Sequence, residues 1–153
     1  MTCGSTGCAL FFVRGLPIAQ GSMRAWIAGG KPILTSTAKG LPAWRRLIAD
    51  QAQAHAPPVP WDRGVSVHAT FYVPRPKSDP KRRRTYPDRK PDIDKCARAV
   101  LDALTHVFWT DDARVLVLHA EKRFADDPFV DQSDRKPPGV LIEAWPVENG
   151  GPP

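Results

Sequence analysis

Two pairs of aspartates carry the most chemical potential in this chain: Asp92 and Asp94, in the run Lys90-Pro91-Asp92-Ile93-Asp94, and the adjacent Asp111 and Asp112. Each pair has an ordinary structural explanation. Aspartate is a favoured helix N-cap, and acids in a first helical turn gain from the macrodipole, each effect amounting to ~0.5–1 kcal/mol. A turn accommodates Asp111-Asp112 just as cheaply. Were the pairs to converge, their repulsion would raise their proton affinities, and a divalent cation would remove that cost. Mg2+ suits such a set, being a hard ion held by a few carboxylates plus water and substrate phosphate, and Mn2+ is the expected substitute. An ion of this kind activates water and stabilises the charge that develops on a phosphodiester during in-line attack. Because a helix of about 14 residues is ~20 Å long, convergence requires the chain to run back along the helix or strand pairing to return it.

The charge distribution points the same way. Between Arg75 and Arg98 lie ten basic residues against four acidic ones, a surplus equal to the net charge of +6 carried by the whole chain. A positive field so concentrated suits nucleic acid, because neutralising phosphates releases condensed counterions. Lys81, Arg82, Arg83, Arg84, Arg89, Lys90 and Lys95 are the candidate DNA contacts, with a solvated basic loop as the plain alternative. His55, His68, His106 and His119 show no metal-ligand spacing, and no phosphate-binding glycine loop is present, so no nucleotide cofactor is expected. The three cysteines, Cys3, Cys8 and Cys96, read as reduced and non-functional. No run reaches the ~18–20 apolar residues of a membrane helix, which predicts a soluble, cytoplasmic protein with no membrane partner.

The elements that must position these residues follow from periodicity. Leu10 to Val13 reads as a strand, and Arg24 to Ile27 with Pro32 to Thr35 as a hairpin around Gly29-Gly30. Pro42 suits a helix start, and Trp44, Leu47, Ile48 and Gln51-Ala52 follow at helical spacing up to Ala56. Val65 to Val73 alternates cleanly, with Val65, Val67, Ala69, Phe71 and Val73 on one face. Pro74 to Lys90 is expected to be an extended, mobile loop. A helix is predicted from Asp92 to about His106, with Ile93, Ala97, Val100, Leu101 and Leu104 buried and Asp94, Arg98 and Asp102 along the opposite half. Val115 to Phe124 and Gly139 to Trp145 read as strands. The expectation is a flexible stretch over 1–9, one domain over 10–145, and a disordered tail over 146–153. Strands alternating with two helices predict a small α/β or α+β domain, a mixed sheet flanked by two helices.

At this point the motif becomes recognisable. Asp92-Ile-Asp94-Lys-Cys-Ala-Arg98-Ala-Val-Leu-Asp102-Ala-Leu, followed by Phe-Trp-Thr-Asp111-Asp112-Ala-Arg-Val, resembles the RusA-type Holliday-junction resolvases. Their pattern runs Asp-x-Asp-Asn-Leu-x-Lys, Asp-Ala-Leu, then a hydrophobic pair before Asp-Asp-x-x-Val. The stretch Pro17 to Arg24 also looks like the opening of phage and actinobacterial members. The resemblance implies a RusA-like mixed α/β homodimer, Mg2+-dependent, that resolves four-way junctions by paired nicks in recombination and repair. It carries the essential acids over to Asp92, Asp94 and Asp112 as metal ligands, with Asp111 as a further catalytic contributor. Arg98 stands where the family has a catalytic lysine, Lys95 replaces an asparagine and Cys96 a leucine. An arginine there can clamp phosphate but does not readily shed a proton. Two other readings share the same features: a branched-DNA-binding protein without catalysis, and a nuclease of flaps or other branched DNA.

Overall fold

The structure, a computed structural model, describes residues 7–21, 23–36 and 38–148. Four strands, β1 (Ala9–Arg14), β4 (Val65–Val73), β5 (Val115–Phe124) and β6 (Gly139–Pro146), form one sheet in the order β1-β6-β4-β5. β6 pairs antiparallel with both β1 and β4, placing Ile142 opposite Phe11 on one side and Ala69 on the other, whereas β4 and β5 run parallel with Ala69 opposite Ala120. Strands β2 (Met23–Ala28) and β3 (Lys31–Ser36) make a separate hairpin that turns at Gly29-Gly30. The expected α+β class, with a mixed sheet and two helices, is what the chain forms. Of the ends, 1–6 and 149–153 lie outside the described residues.

Helices α1 (Leu41–Gln53) and α2 (Ile93–Leu104) bury their apolar stripes against one face of this sheet. Trp44, Ile48 and Ala52 of α1 and Ala97, Val100 and Leu104 of α2 enter one core with Phe11, Val13, Val67, Phe71 and Ile142. The alternation in β4 holds, with Val65, Val67, Ala69, Phe71 and Val73 all buried. Its opposite face is partly covered as well, since Tyr72 is buried with its ring edge-on to Phe12 at 6.0 Å.

Two expectations need correction. The segment from Pro74 to Lys90 is organised rather than merely extended. The Arg75 guanidinium donates to the carbonyls of Pro80 (2.8 Å) and Arg83 (3.0 Å), pairs with Asp79, and lies over the rings of Phe124 and Phe129. Helix α2 also stops at Leu104, because Thr105 turns to extended backbone and His106 adopts φ 68°. The turn that follows drives Phe108 and Trp109 into this chain's own core, with neither exposed at all.

The sheet's outer seam depends on a missing side chain. A Cβ at Gly139 would lie 2.3 Å from the Val13 carbonyl oxygen and 2.5 Å from the Phe12 ring, inside the register that joins β6 to β1. Gly139→Ala should therefore force the two strands apart and destabilise the fold by roughly 1–3 kcal/mol. Urea unfolding checks this, and an unshifted midpoint would show that the seam can relax at no cost.

Candidate active site

The acids are arranged around α2, and the structure separates those with a local explanation from those without one. Asp92 occupies the N-cap position but makes no capping hydrogen bond; its carboxylate instead meets the Lys95 ammonium at 3.2 Å. Asp111, by contrast, does cap, accepting from the Ala113 amide at 2.7 Å at the head of a short 3-10 turn. Capping thus accounts for Asp111 but not for Asp92, whose local partner is a half-exposed ammonium. Asp94 is exposed on the first turn of α2, and Arg98 is exposed one turn further along the same stripe.

Asp112 is held in place from several directions. Thr105 Oγ1 and the Trp109 indole N–H (3.1 Å) both donate to its Oδ1, and the Thr105 hydroxyl is itself set by its contact with the Leu101 carbonyl. The turn that carries Asp112 is pinned to the segment before β4. Trp61 N–H donates to the Phe108 carbonyl at 2.8 Å, Thr110 N–H to the Trp61 carbonyl at 3.1 Å, and Arg114 pairs with Asp62 at 2.6 Å.

Held this way, the Asp112 carboxylate is near enough for its charge to act on Asp102, the third member of the Asp94, Arg98, Asp102 stripe. Burial raises the pKa of Asp102, the Arg45 guanidinium on α1 lowers it, and the charge of Asp112 raises it again. Arg45 forms an ion pair with Asp102 and donates to Gln20 Oε1 at 2.7 Å, while Gln20 N–H donates to the Lys95 carbonyl at 3.1 Å. A single guanidinium therefore links α1, α2 and the segment leading to the hairpin.

At the other end of α2, Lys122 of β5 sends its ammonium to the carbonyls of Arg89 (2.7 Å) and Pro91 (2.9 Å), fixing the chain just before Asp92. Lys81, Arg82, Arg83, Arg84, Arg89 and Lys90, which precede this end in the chain, are all exposed. Lys95, grouped with them on charge alone, is placed beside Asp92 instead. Cys96 is a free buried thiol whose pKa burial pushes up to about 11, which removes it from chemistry at neutral pH. Cys8 is disulfide-bonded, so the expectation of reduced thiols fails there.

The two pairs of acids do not meet within one chain. Asp92 and Asp94 sit at the start of α2, while Asp112 folds back only as far as Asp102, leaving about 12 Å of helix axis between Asp94 and Asp102. Among the described residues no group of three or more His, Cys, Asp or Glu side chains is gathered closely enough to hold a metal ion. The donor chemistry nonetheless fits a hard cation. Two carboxylates in contact repel, and Mg2+ characteristically takes one or two protein carboxylates and completes its shell with water and phosphate.

Sequence reasoning misses Asp102, Arg45, Gln20, Thr105 and Lys122 as site residues. Asp102 is visible as the second acid of the Asp94, Arg98, Asp102 stripe, and Lys122 only as a charge late in a strand that loses its apolar character. Nothing in the sequence marks Arg45, whose role arises only when α1 packs on α2.

A run of exposed cations followed directly by a helix that carries Asp94 and Asp102 suits a protein that works on phosphodiesters. The chain belongs to the endodeoxyribonuclease RusA family, whose model matches residues 15–131. It is also 32% identical over 133 residues to "Uncharacterized protein YqaN" of Bacillus subtilis (strain 168), a match covering 81% of this chain and 93% of that protein.

The Arg45–Asp102 pair yields a direct test. Arg45→Met strips the cation from Asp102 while Asp112 stays beside it, and should cost roughly 1–3 kcal/mol. Adding Asp102→Asn should return part of that loss, read from urea midpoints. A double variant no more stable than Arg45→Met alone would show that the two side chains are not coupled.

Proposed function

We propose that this protein is a Mg2+-dependent endonuclease that resolves four-way DNA junctions by paired, symmetric nicks in recombination and repair. We further propose that it acts as a homodimer whose active sites form across the two-fold axis. The observation that carries this reading is the placement of the essential acids at opposite ends of α2, alongside an unpaired edge strand. β5 is ten residues long and forms the outer edge of the sheet, with Leu116, Val117 and Leu118 exposed at 65%, 49% and 44%. A long apolar edge is a template for pairing. A two-fold axis pairs two such edges antiparallel.

Antiparallel pairing reverses the second copy, because β5 begins near Asp112 and ends near Lys122, which anchors the chain before Asp92. The Asp112 end of one copy then faces the Asp92–Asp94 end of the other. Asp92 and Asp94 from one chain and Asp112 from its partner are the side chains that would hold Mg2+. When bound, the ion offsets charge on the scissile phosphate and activates water. Arg98 clamps a phosphate oxygen, Asp111 stands beside the ligands, and Lys81 to Arg84, Arg89 and Lys90 hold the backbones of the junction arms. Membership in a family of endodeoxyribonucleases supports the reaction class, and two equivalent sites suit two equivalent cuts.

Cleavage of a synthetic four-way junction, with linear duplex as control, tests the reaction. Cutting should require Mg2+, and Asp92→Asn, Asp94→Asn and Asp112→Asn should each lose it while still binding the junction, since they remove ligands and reduce repulsion of phosphate. Wild-type cutting by any two of them would sink the assignment.

Mixing two inactive proteins tests the shared site. A heterodimer of one Asp94→Asn chain and one Asp112→Asn chain would contain one site with both lesions and one with neither, so the mixture should regain a single nick per junction. If light scattering shows dimers and the mixture stays inactive, each chain builds its own site; if it shows only monomers, the two-fold arrangement is wrong.

A further inference from the structure

Beside the C-terminal end of β5, the basic loop and the residues following β5 enclose a cavity of about 390 Å³. It adjoins the acids, because Lys122, which holds the Pro91 carbonyl next to Asp92, is also part of its wall. We infer that this cavity receives a single unstacked nucleobase from the DNA bound at the neighbouring acids. The inference rests on the nucleic-acid reading of the acids and the loop, and names what part of the DNA enters the protein.

Three properties of the lining fit a base still joined to the DNA backbone. The volume lies within the ~300–1,000 Å³ range of small-molecule pockets. The rim offers a flat stacking surface: Tyr86 is 69% exposed, and the Arg84 guanidinium lies over its ring 5.4 Å from the centroid. Bases stack on both aromatic rings and guanidinium planes. The polar lining includes the carboxylates of Glu121, Asp127 and Asp134. Those carboxylates supply the acceptors that the N–H donors on a base edge need, while Arg84, Lys122, Arg123 and Arg135 in the same wall can meet the phosphates that flank that base. Buried Tyr72 closes part of the wall with an aromatic ring. An enzyme that opens a branch point exposes unpaired bases, and one base held out of the stack would fix which phosphate lies at the acids.

The experiment is an abasic scan. Junctions carrying a single abasic site at each position around the crossover are titrated against the full-length protein without Mg2+, reading affinity by fluorescence anisotropy. Wild-type protein should lose about tenfold in affinity at one position on the bound strand, the scale expected for one stacked base. Tyr86→Ala, and separately Arg84→Ala, should weaken binding of the intact junction by a similar factor and lose nothing more at that position. Tyr86 is exposed, so its variant should fold. A flat wild-type profile, or a Tyr86→Ala protein that keeps the full positional loss, overturns the inference. Since the readout is binding, a protein that proves unable to cut still decides whether a base enters the cavity, and one that cuts normally with a flat profile leaves the nuclease reading standing.

Discussion

The parallel pairing of β4 with β5 is the constraint on which the rest of this structure depends. Two parallel neighbours cannot be joined by a tight turn; the chain leaving one must return the length of the sheet before entering the other. Here that return journey contains every residue that the sequence marks as a candidate for the site. The basic loop leaves the end of β4, α2 carries Asp94, Arg98 and Asp102 back along the sheet, and the turn with Asp111 and Asp112 delivers the chain to β5. The same geometry makes the ends of α2 the ends of β5. A single crossover therefore keeps the two acid pairs apart within one chain, and gives them a shared edge strand along which a second chain can be reversed.

Holding carboxylates near one another in a folded protein requires neighbours that oppose their repulsion, and the two ends of α2 solve this differently. At the far end Arg45 pairs with Asp102, while neutral donors, Thr105 and the Trp109 indole, orient Asp112. Neutral donors fix a carboxylate without cancelling its charge, so Asp112 remains available to a cation. At the near end Lys122 directs its ammonium to main-chain carbonyls rather than to an acid, so it positions Asp92 and leaves the charge of Asp92 to Lys95. Trp109 is what makes the far end rigid: its ring fills the core, and its one polar atom faces the site. Burial and orientation are thereby served by one side chain.

How much of this could be read from the sequence follows from the range of the interactions involved. Alternation marks β4 because one of its faces packs wholly inward, and the spacing of Ala97, Val100 and Leu104 marks α2 because a single stripe meets the sheet; both are local signals with a fixed period. Asp92 and Asp94 are likewise legible from spacing. Interactions between distant segments are not. Arg75 looks like one more cation in a charged run, yet it is the hub that folds the loop, through carbonyls that no side-chain pattern reveals. Phe108 and Trp109 lie outside any regular element, so periodicity cannot tell whether their rings face this chain's core or a partner. Arg45 occupies an ordinary polar position of α1, and its carboxylate partner lies on another helix. Whether the acids converge is hidden for a related reason: in the proposed dimer convergence is a property of the assembly, and sequence spacing within a single chain does not encode it.

Arg98 sharpens what the acids have to do. In the proposed site a guanidinium there can hold a phosphate oxygen and stabilise charge, and arginine is poorly suited to take a proton from attacking water. A lysine in the same place retains that option when its surroundings lower its pKa. In the proposed enzyme, an arginine in the stripe leaves proton transfer to carboxylates. Asp102 lies one turn beyond Arg98, and burial raises its pKa while Arg45 lowers it and the charge of Asp112 raises it again. In that proposal the arginine and the neighbouring acids are parts of one arrangement: the cation along α2 binds phosphate, and the carboxylates beside it are left to handle the proton.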